Sequence, residues 1–138
     1  MKVLGLDVGK RRIGLAVSDG MGITAQGLST LERRGIDRDI GELKKLIKVH
    51  TVKEVVVGLP LNMDGSLGGG AREVVDFADR LKLDLGLPVN LWDERLTTKE
   101  AEAILLAADI SRKKRRRAVD RLAAQLILQG YLDSKRDV

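Results

Sequence analysis

From Lys2 to Val8 the chain alternates, with Leu4, Leu6 and Val8 on one face and Val3, Gly5 and Asp7 on the other, the period of a strand that covers a core. Gly9-Lys10 supplies a turn, residues 13–18 read as the hairpin partner, and residues 23–31 follow the Asp19-Gly20 turn as a weaker third strand. At Ile36 the period changes. Ile36, Ile40, Leu43, Leu46 and Ile47 share one helical stripe that ends near His50. Residues 54–59 are then short, β-branched and almost continuously apolar, as in a parallel strand covered on both faces. Residues 60–70 form the longest loop, with turn chemistry at Asn62-Met63-Asp64-Gly65 and three consecutive glycines, and are expected to be mobile. A helix is predicted from Arg72, with Val74, Val75, Ala78, Leu81 and Leu85 on its stripe and Gly86 and Pro88 as its stop. Val89-Asn90-Leu91-Trp92 is the next strand. Thr97-Thr98-Lys99-Glu100 reads as a capping box for a helix with Ala101, Ile104, Leu105 and Ala108 inside. The last helix is predicted over about 118–132, with the stripe Val119, Leu122, Ala123, Leu126 and Ile127. This order predicts an α/β fold, a five-stranded mixed sheet of three antiparallel strands then two parallel ones, flanked by helices.

Length and composition narrow the function. With 138 residues the chain is expected to form a single domain over 1–138. Its 43% hydrophobic and 33% charged residues are those of a folded protein. No apolar run approaches the ~18 residues of a membrane span, and Asp7 comes too early for a secretory leader, so a cytoplasmic protein without a membrane partner is expected. The absence of cysteine excludes thiolate chemistry, and the lone His50, read as a surface or capping residue, argues against a Ser-His-Asp triad. Any metal must be held by oxygen ligands. The net charge is +5, yet Arg112, Lys113, Lys114, Arg115, Arg116 and Arg117 alone carry six positive charges, which leaves the remainder at −1. Basicity is therefore one local feature. Phe77, Trp92 and Tyr131 are the only aromatic residues, too few for base-stacking platforms worth ~1–3 kcal/mol per base, so a nucleic-acid partner would be held by its phosphates.

Three acidic positions invite a chemical reading. Aspartate is disfavoured inside strands, so Asp7 is either a turn residue before Gly9 or a metal ligand. At the end of the last strand, alternation groups Asp93 with Val89 and Leu91, and Glu94 with Asn90 and Trp92; a regular strand cannot turn both to one ion. Asp120 shares a helix flank with Ala123, Ala124 and Ile127, at the edge of the buried face, or it only complements the helix dipole. The basic run before it opposes that dipole, which suits a bound polyanion or a solvated loop, disordered without a ligand in either case. The glycines match neither a P-loop nor a dinucleotide fingerprint, which sets ATP and NAD aside.

The segment Leu6-Asp7-Val8-Gly9-Lys10-Arg11-Arg12-Ile13-Gly14-Leu15-Ala16-Val17-Ser18-Asp19 resembles the opening of the YqgF/RuvX family, described as pre-16S rRNA nucleases and Holliday-junction resolvases. Val57-Gly58-Leu59-Pro60-Leu61-Asn62-Met63-Asp64-Gly65-Ser66, Trp92-Asp93-Glu94-Arg95-Leu96-Thr97-Thr98 and Val119-Asp120-Arg121-Leu122-Ala123-Ala124 follow in the family's order and spacing. The resemblance spans essentially the whole chain. Two positions depart from it: Gly69-Gly70-Ala71-Arg72 stands where many relatives have Gly-Pro-Arg, and Ala123 where better-known RNase H-like resolvases have a fourth acid.

The resemblance implies an RNase H-like fold and acidic site positions at Asp7, Glu94 and Asp120, converging at one end of the sheet with Asp93 turned away. It implies a Mg²⁺- or Mn²⁺-dependent nuclease, a monomer or weak dimer, acting on structured RNA at the end of the small-subunit rRNA precursor. Asp7 would be the bridging ligand. Lys10, Arg11, Arg95, Arg112, Lys113, Lys114, Arg115 and Arg116 would hold substrate phosphates. Holliday-junction cleavage uses the same ligands but needs two active sites placed symmetrically, hence a dimer. A nucleic-acid-binding factor without catalysis is the rival from another class. A sugar-kinase or actin-like ATPase shares the Asp-x-Gly opening but normally requires two such domains.

Overall fold

The computed structural model describes residues 1–62, 64–94, 103–104 and 112–136, the side chains of 112–117 and 136 excepted. Five strands, β1 (Lys2–Val8), β2 (Arg12–Ser18), β3 (Ala25–Glu32), β4 (Val52–Leu59) and β5 (Val89–Asp93), make one sheet in the order β3-β2-β1-β4-β5. β2 runs antiparallel to both β1 and β3, whereas β4 runs parallel to β1 and β5. The helices are α1 (Ile36–His50), α2 (Gly69–Leu85) and α3 (Arg112–Arg136). This is the mixed sheet that the alternation predicts, with strand boundaries moved by one to two residues. None of these helices is long and apolar enough to cross a membrane.

The two faces of the sheet differ in side-chain size. Leu4 and Leu6 of β1, Ile13 and Leu15 of β2, and Val55 and Val57 of β4 meet Ile40 and Leu43 of α1 and Val74, Phe77 and Leu81 of α2 in the larger core. Each such fully buried side chain contributes about 1.5–3 kcal/mol. The opposite face carries Val3, Ala16, Ala25 and Val56, with Ala124, Leu128, Tyr131 and Leu132 of α3 packed on them. Glycines bring the helix closer still. A Cβ at Gly5 would stand 2.8 Å from the Cβ of Leu128, and one at Gly14 would fall on the carbonyl oxygen of Asp120. α3 thus lies directly on the sheet because β1 and β2 leave room for its backbone.

Both ends of the chain's helical half differ from the sequence expectation. α2 begins at Gly69, inside the loop expected to be mobile, since Ala71 is fully buried and its packing holds the first turn in place. α3 begins at Arg112, so the basic run expected to be disordered is helical. Arginine, lysine and alanine are strong helix formers, and like charges at i,i+4 cost only about 0.2–0.5 kcal/mol per pair. The buried stripe of α3 keeps Val119, Ala123 and Ile127 of the predicted one and departs from it at the other positions. Ala124, Leu128 and Tyr131 face the sheet, while Leu122 and Leu126 are half-buried against Val119. Of the helix expected over 101–108, Ala103 and Ile104 are helical and exposed; the rest lies outside the described residues.

Candidate active site

Asp7 is the last residue but one of the central strand, paired across β2 with Gly14, and it shares the α3 face with Val3 and Gly5. Glu94 reaches the same place from β5. Its N–H donates to the carbonyl of Leu59 at 3.2 Å, which carries the parallel ladder one residue past Asp93. Its side chain takes the face of Asn90 and Trp92, as the alternation requires, and is only 8% exposed. Gly58 leaves the room for it, because a Cβ there would stand 2.8 Å from Glu94 Oε2. Asp93, one residue earlier, is exposed. Asp120 enters from α3, its backbone pressed on Gly14.

The carboxyls of Asp7 and Glu94 are hydrogen-bonded to each other. Burial pushes Asp7 up to about 6, aided by the nearby negative charge of Asp120, while the hydrogen bond from Glu94 acts downward. Burial pushes Glu94 up to about 9, and the charge of Asp7, the hydrogen bond to it and the charge of Asp93 add to the effect. Glu94 is therefore the member that keeps the proton near neutral pH, and it donates that proton to the Asp7 carboxylate. Asp120 turns instead to Arg12, whose Nε stands 2.7 Å from Oδ2. Among the described residues no three acidic side chains stand in reach of one ion.

One atom of the cluster lacks a partner. Glu94 Oε2 is fully buried and accepts no hydrogen bond among the described residues, a position that costs about 1–3 kcal/mol. Two carboxyls held together against their charge and an orphaned buried oxygen fit a cation between them. All the donors are carboxylate oxygens, the choice of hard ions such as Mg²⁺ or Mn²⁺.

The basic residues are dispersed. Lys10 and Arg11 are exposed on the β1–β2 turn, which the Gly9 N–H closes on the Arg12 carbonyl at 2.9 Å. Lys10 borders a cavity of about 130 Å³ with Arg33, Pro60, Gly70 and Glu73, at the end of β1 where Asp7 lies. Arg112, Lys113, Lys114, Arg115 and Arg116 form the first turns of α3, amino-terminal to Asp120. Arg95 lies outside the described residues. Arg12 was not anticipated as a site residue, although a signal existed: it alternates with Gly14 and Ala16, so it belongs to the face of Asp7. His50 closes α1 immediately before β4, at the opposite end of the sheet.

The chain matches, over residues 1–134, the model of a family described as "RuvX: Holliday junction resolvase". It is 52% identical over 134 residues to a protein of Clostridium novyi, covering 97% of this chain and 99% of that one. It is 53% identical over 133 residues to a protein of Moorella thermoacetica, with 96% and 95% covered. Both carry the name "Putative pre-16S rRNA nuclease". Among solved structures it is similar to Thermus thermophilus RuvC in complex with a Holliday junction substrate, with a TM-score of 0.58, 16% identity, and 99% and 96% of the two chains covered. The Fowlpox virus resolvase gives 0.56, at 9% identity and 98% and 99% coverage. The fold is RNase H-like, as the resemblance implies.

Proposed function

This chain belongs to the RuvX family, and from that starting point we propose that it is a metal-dependent nuclease that hydrolyses phosphodiester bonds in maturing the 5′ end of pre-16S rRNA, as a single cytoplasmic domain. The observation that carries this reading is the buried Asp7–Glu94 pair with its orphaned Oε2. Relatives that are half identical over their whole length and named for pre-16S rRNA support the substrate.

Asp7, Glu94 and Asp120 would hold Mg²⁺ or Mn²⁺, which when bound supplies a water of lowered pKa and charge neutralisation at the leaving oxygen. The protein's own contribution is to prepare the place. Burial of Glu94 against Gly58 excludes competing water from it, and the proton shared with Asp7 keeps two carboxyls together at neutral pH. Lys10, Arg11, Arg95 and the basic start of α3 would bind phosphates on either side of the cut, which positions the chain without reading bases.

The test is incubation of the protein with precursor 16S rRNA and with a four-way DNA junction, each with Mg²⁺, Mn²⁺ or EDTA. Cleavage of the RNA with either ion, abolished by EDTA, is expected. The family description and the RuvC-like fold favour a second reading, junction cleavage; preferential cutting of the junction by a dimer would establish it. Binding of RNA without cleavage under any of the ions would replace both with a non-catalytic factor.

A further inference from the structure

We propose that Arg12 is a positioning residue that competes with the cation for Asp120, holding this carboxylate aside until a cation displaces the guanidinium, which then becomes available to a substrate phosphate. The inference rests on the metal-dependent reading above and concerns how that site is assembled.

Arg12 and Asp120 meet through Nε and one carboxylate oxygen at 2.7 Å, within the range of a charge-assisted hydrogen bond. Both side chains are 24% exposed, so water can take over either partner at little cost. The backbones beneath them have no such freedom. The Asp120 carbonyl lies against Gly14, two residues along β2 from Arg12, where even a methyl group would not fit. Which partner Asp120 serves is therefore a choice of side-chain rotamer, not of helix position. Its charge already acts on Asp7, yet its carboxylate stands outside ligating reach of the Asp7–Glu94 pair. A cation seated at that pair attracts Asp120 and repels Arg12, and both forces act in the same direction. Glu32, paired with Arg12 across β2 and β3 and interacting with its charge, offers the released guanidinium a resting partner. The planar guanidinium then stands at the rim of the site with donors suited to phosphate oxygens.

A plain staple between β2 and α3 would behave differently. Its loss would weaken the fold and leave cation affinity unchanged or lower, whereas loss of a competitor raises that affinity. The full-length protein is titrated with Mn²⁺ in the absence of nucleic acid, free ion being followed by electron paramagnetic resonance. Arg12→Gln is expected to bind Mn²⁺ about two- to fivefold more tightly than the wild type, the range that an exposed ion pair of this kind contributes, while its KM for RNA rises. Arg12→Lys, which keeps the charge, is expected within about twofold of the wild type, since the pair's strength lies in that range. A second measurement needs no functional variant: the Arg12 Nε–Hε resonance of the wild type, observed by nuclear magnetic resonance, should shift on saturation with diamagnetic Mg²⁺ as the bond to Asp120 breaks. Equal or weaker Mn²⁺ affinity in Arg12→Gln, or an unmoved resonance at saturating Mg²⁺, overturns the competition. A wild type that binds neither ion overturns the metal-dependent reading itself.

Discussion

At the scale of single residues the site is defined by a proton. Asp7→Asn keeps the shape and removes the charge that a cation requires, so cleavage should fall below detection while RNA binding is kept or strengthened. Activity within a few-fold of the wild type in a gel assay would remove Asp7 from the machinery. The shared proton also makes the metal-free protein sensitive to pH in a determined direction. Folded Glu94 holds its proton up to about 9 against an ordinary 4.5, and folded Asp7 up to about 6 against 3.8. Between these limits the folded state binds more protons than the unfolded one, so stability falls as pH rises. The melting temperature in EDTA should accordingly be higher near pH 6 than near pH 9, the two folded values, and Glu94→Gln should flatten the difference; a rise with pH would contradict the pairing. Much of this was legible in the sequence. An aspartate closing an apolar strand stands out, and period-two alternation separates Glu94 from Asp93. Arg12 escaped because three consecutive cations at a turn look like solvated charge; its alternation with Gly14 and Ala16 sets it on the face of Asp7, and its pairing with α3, 108 residues away, completes the distinction from Lys10 and Arg11.

At the scale of elements, the position of Asp120 depends on how closely α3 lies on the sheet. Gly14→Ala places a methyl group on the Asp120 carbonyl, and overpacking of this sort costs about 1–3 kcal/mol. The expected result is a lower melting temperature and loss of cleavage, because the strand can accept the methyl only by moving the helix that bears Asp120. Undiminished activity would show that the helix tolerates displacement. The other end of α3 is held by a buried polar cluster. The Glu54 carboxylate accepts hydrogen bonds from the Tyr131 hydroxyl, from Asn90 Nδ2 at 2.8 Å and from Lys135 Nζ at 3.2 Å, with the Trp92 ring edge-on to Tyr131. Tyr131→Phe removes one donor from a carboxylate that is almost fully buried, and should cost about 1–3 kcal/mol in denaturant unfolding. The succession of strands and helices along the chain was readable from the change of period, since the pleat holds the side chains of a strand at period two. The start of α3 was not, and its stripe only in part: Val119, Ala123 and Ile127 are buried as their spacing predicts, but a face paved with glycine and alanine accepts the helix by its backbone, so Ala124 and Leu128 are buried where the larger apolar residues point to Leu122 and Leu126.

At the scale of the whole molecule, charge is segregated against the local preference of the helix that carries it. The six cations of residues 112–117 stand in the first turns of α3, with no acidic residue in its first turn, where the macrodipole disfavours positive charge by about 0.3–1 kcal/mol per group. The other residues together carry −1 out of a net +5, so long-range attraction of a polyanion must come from this end, which is also the end that bears Asp120. Counterion release makes the consequence measurable, because each phosphate neutralised on a single strand contributes about −0.7 to the slope of log K against log salt. Replacing Arg112, Lys113, Lys114, Arg115 and Arg116 by glutamine removes the charge and keeps good helix formers in place. If all five contact phosphates, the slope should flatten by about 3.5, with affinity weakened for RNA of any sequence. Mn²⁺ affinity should be unchanged, since none of the five is among the carboxylates that would hold the ion. Fluorescence anisotropy across a salt series decides the matter: a slope equal to that of the wild type would move the phosphate track to Lys10, Arg11 and the cavity beside Arg33, on the other side of β1.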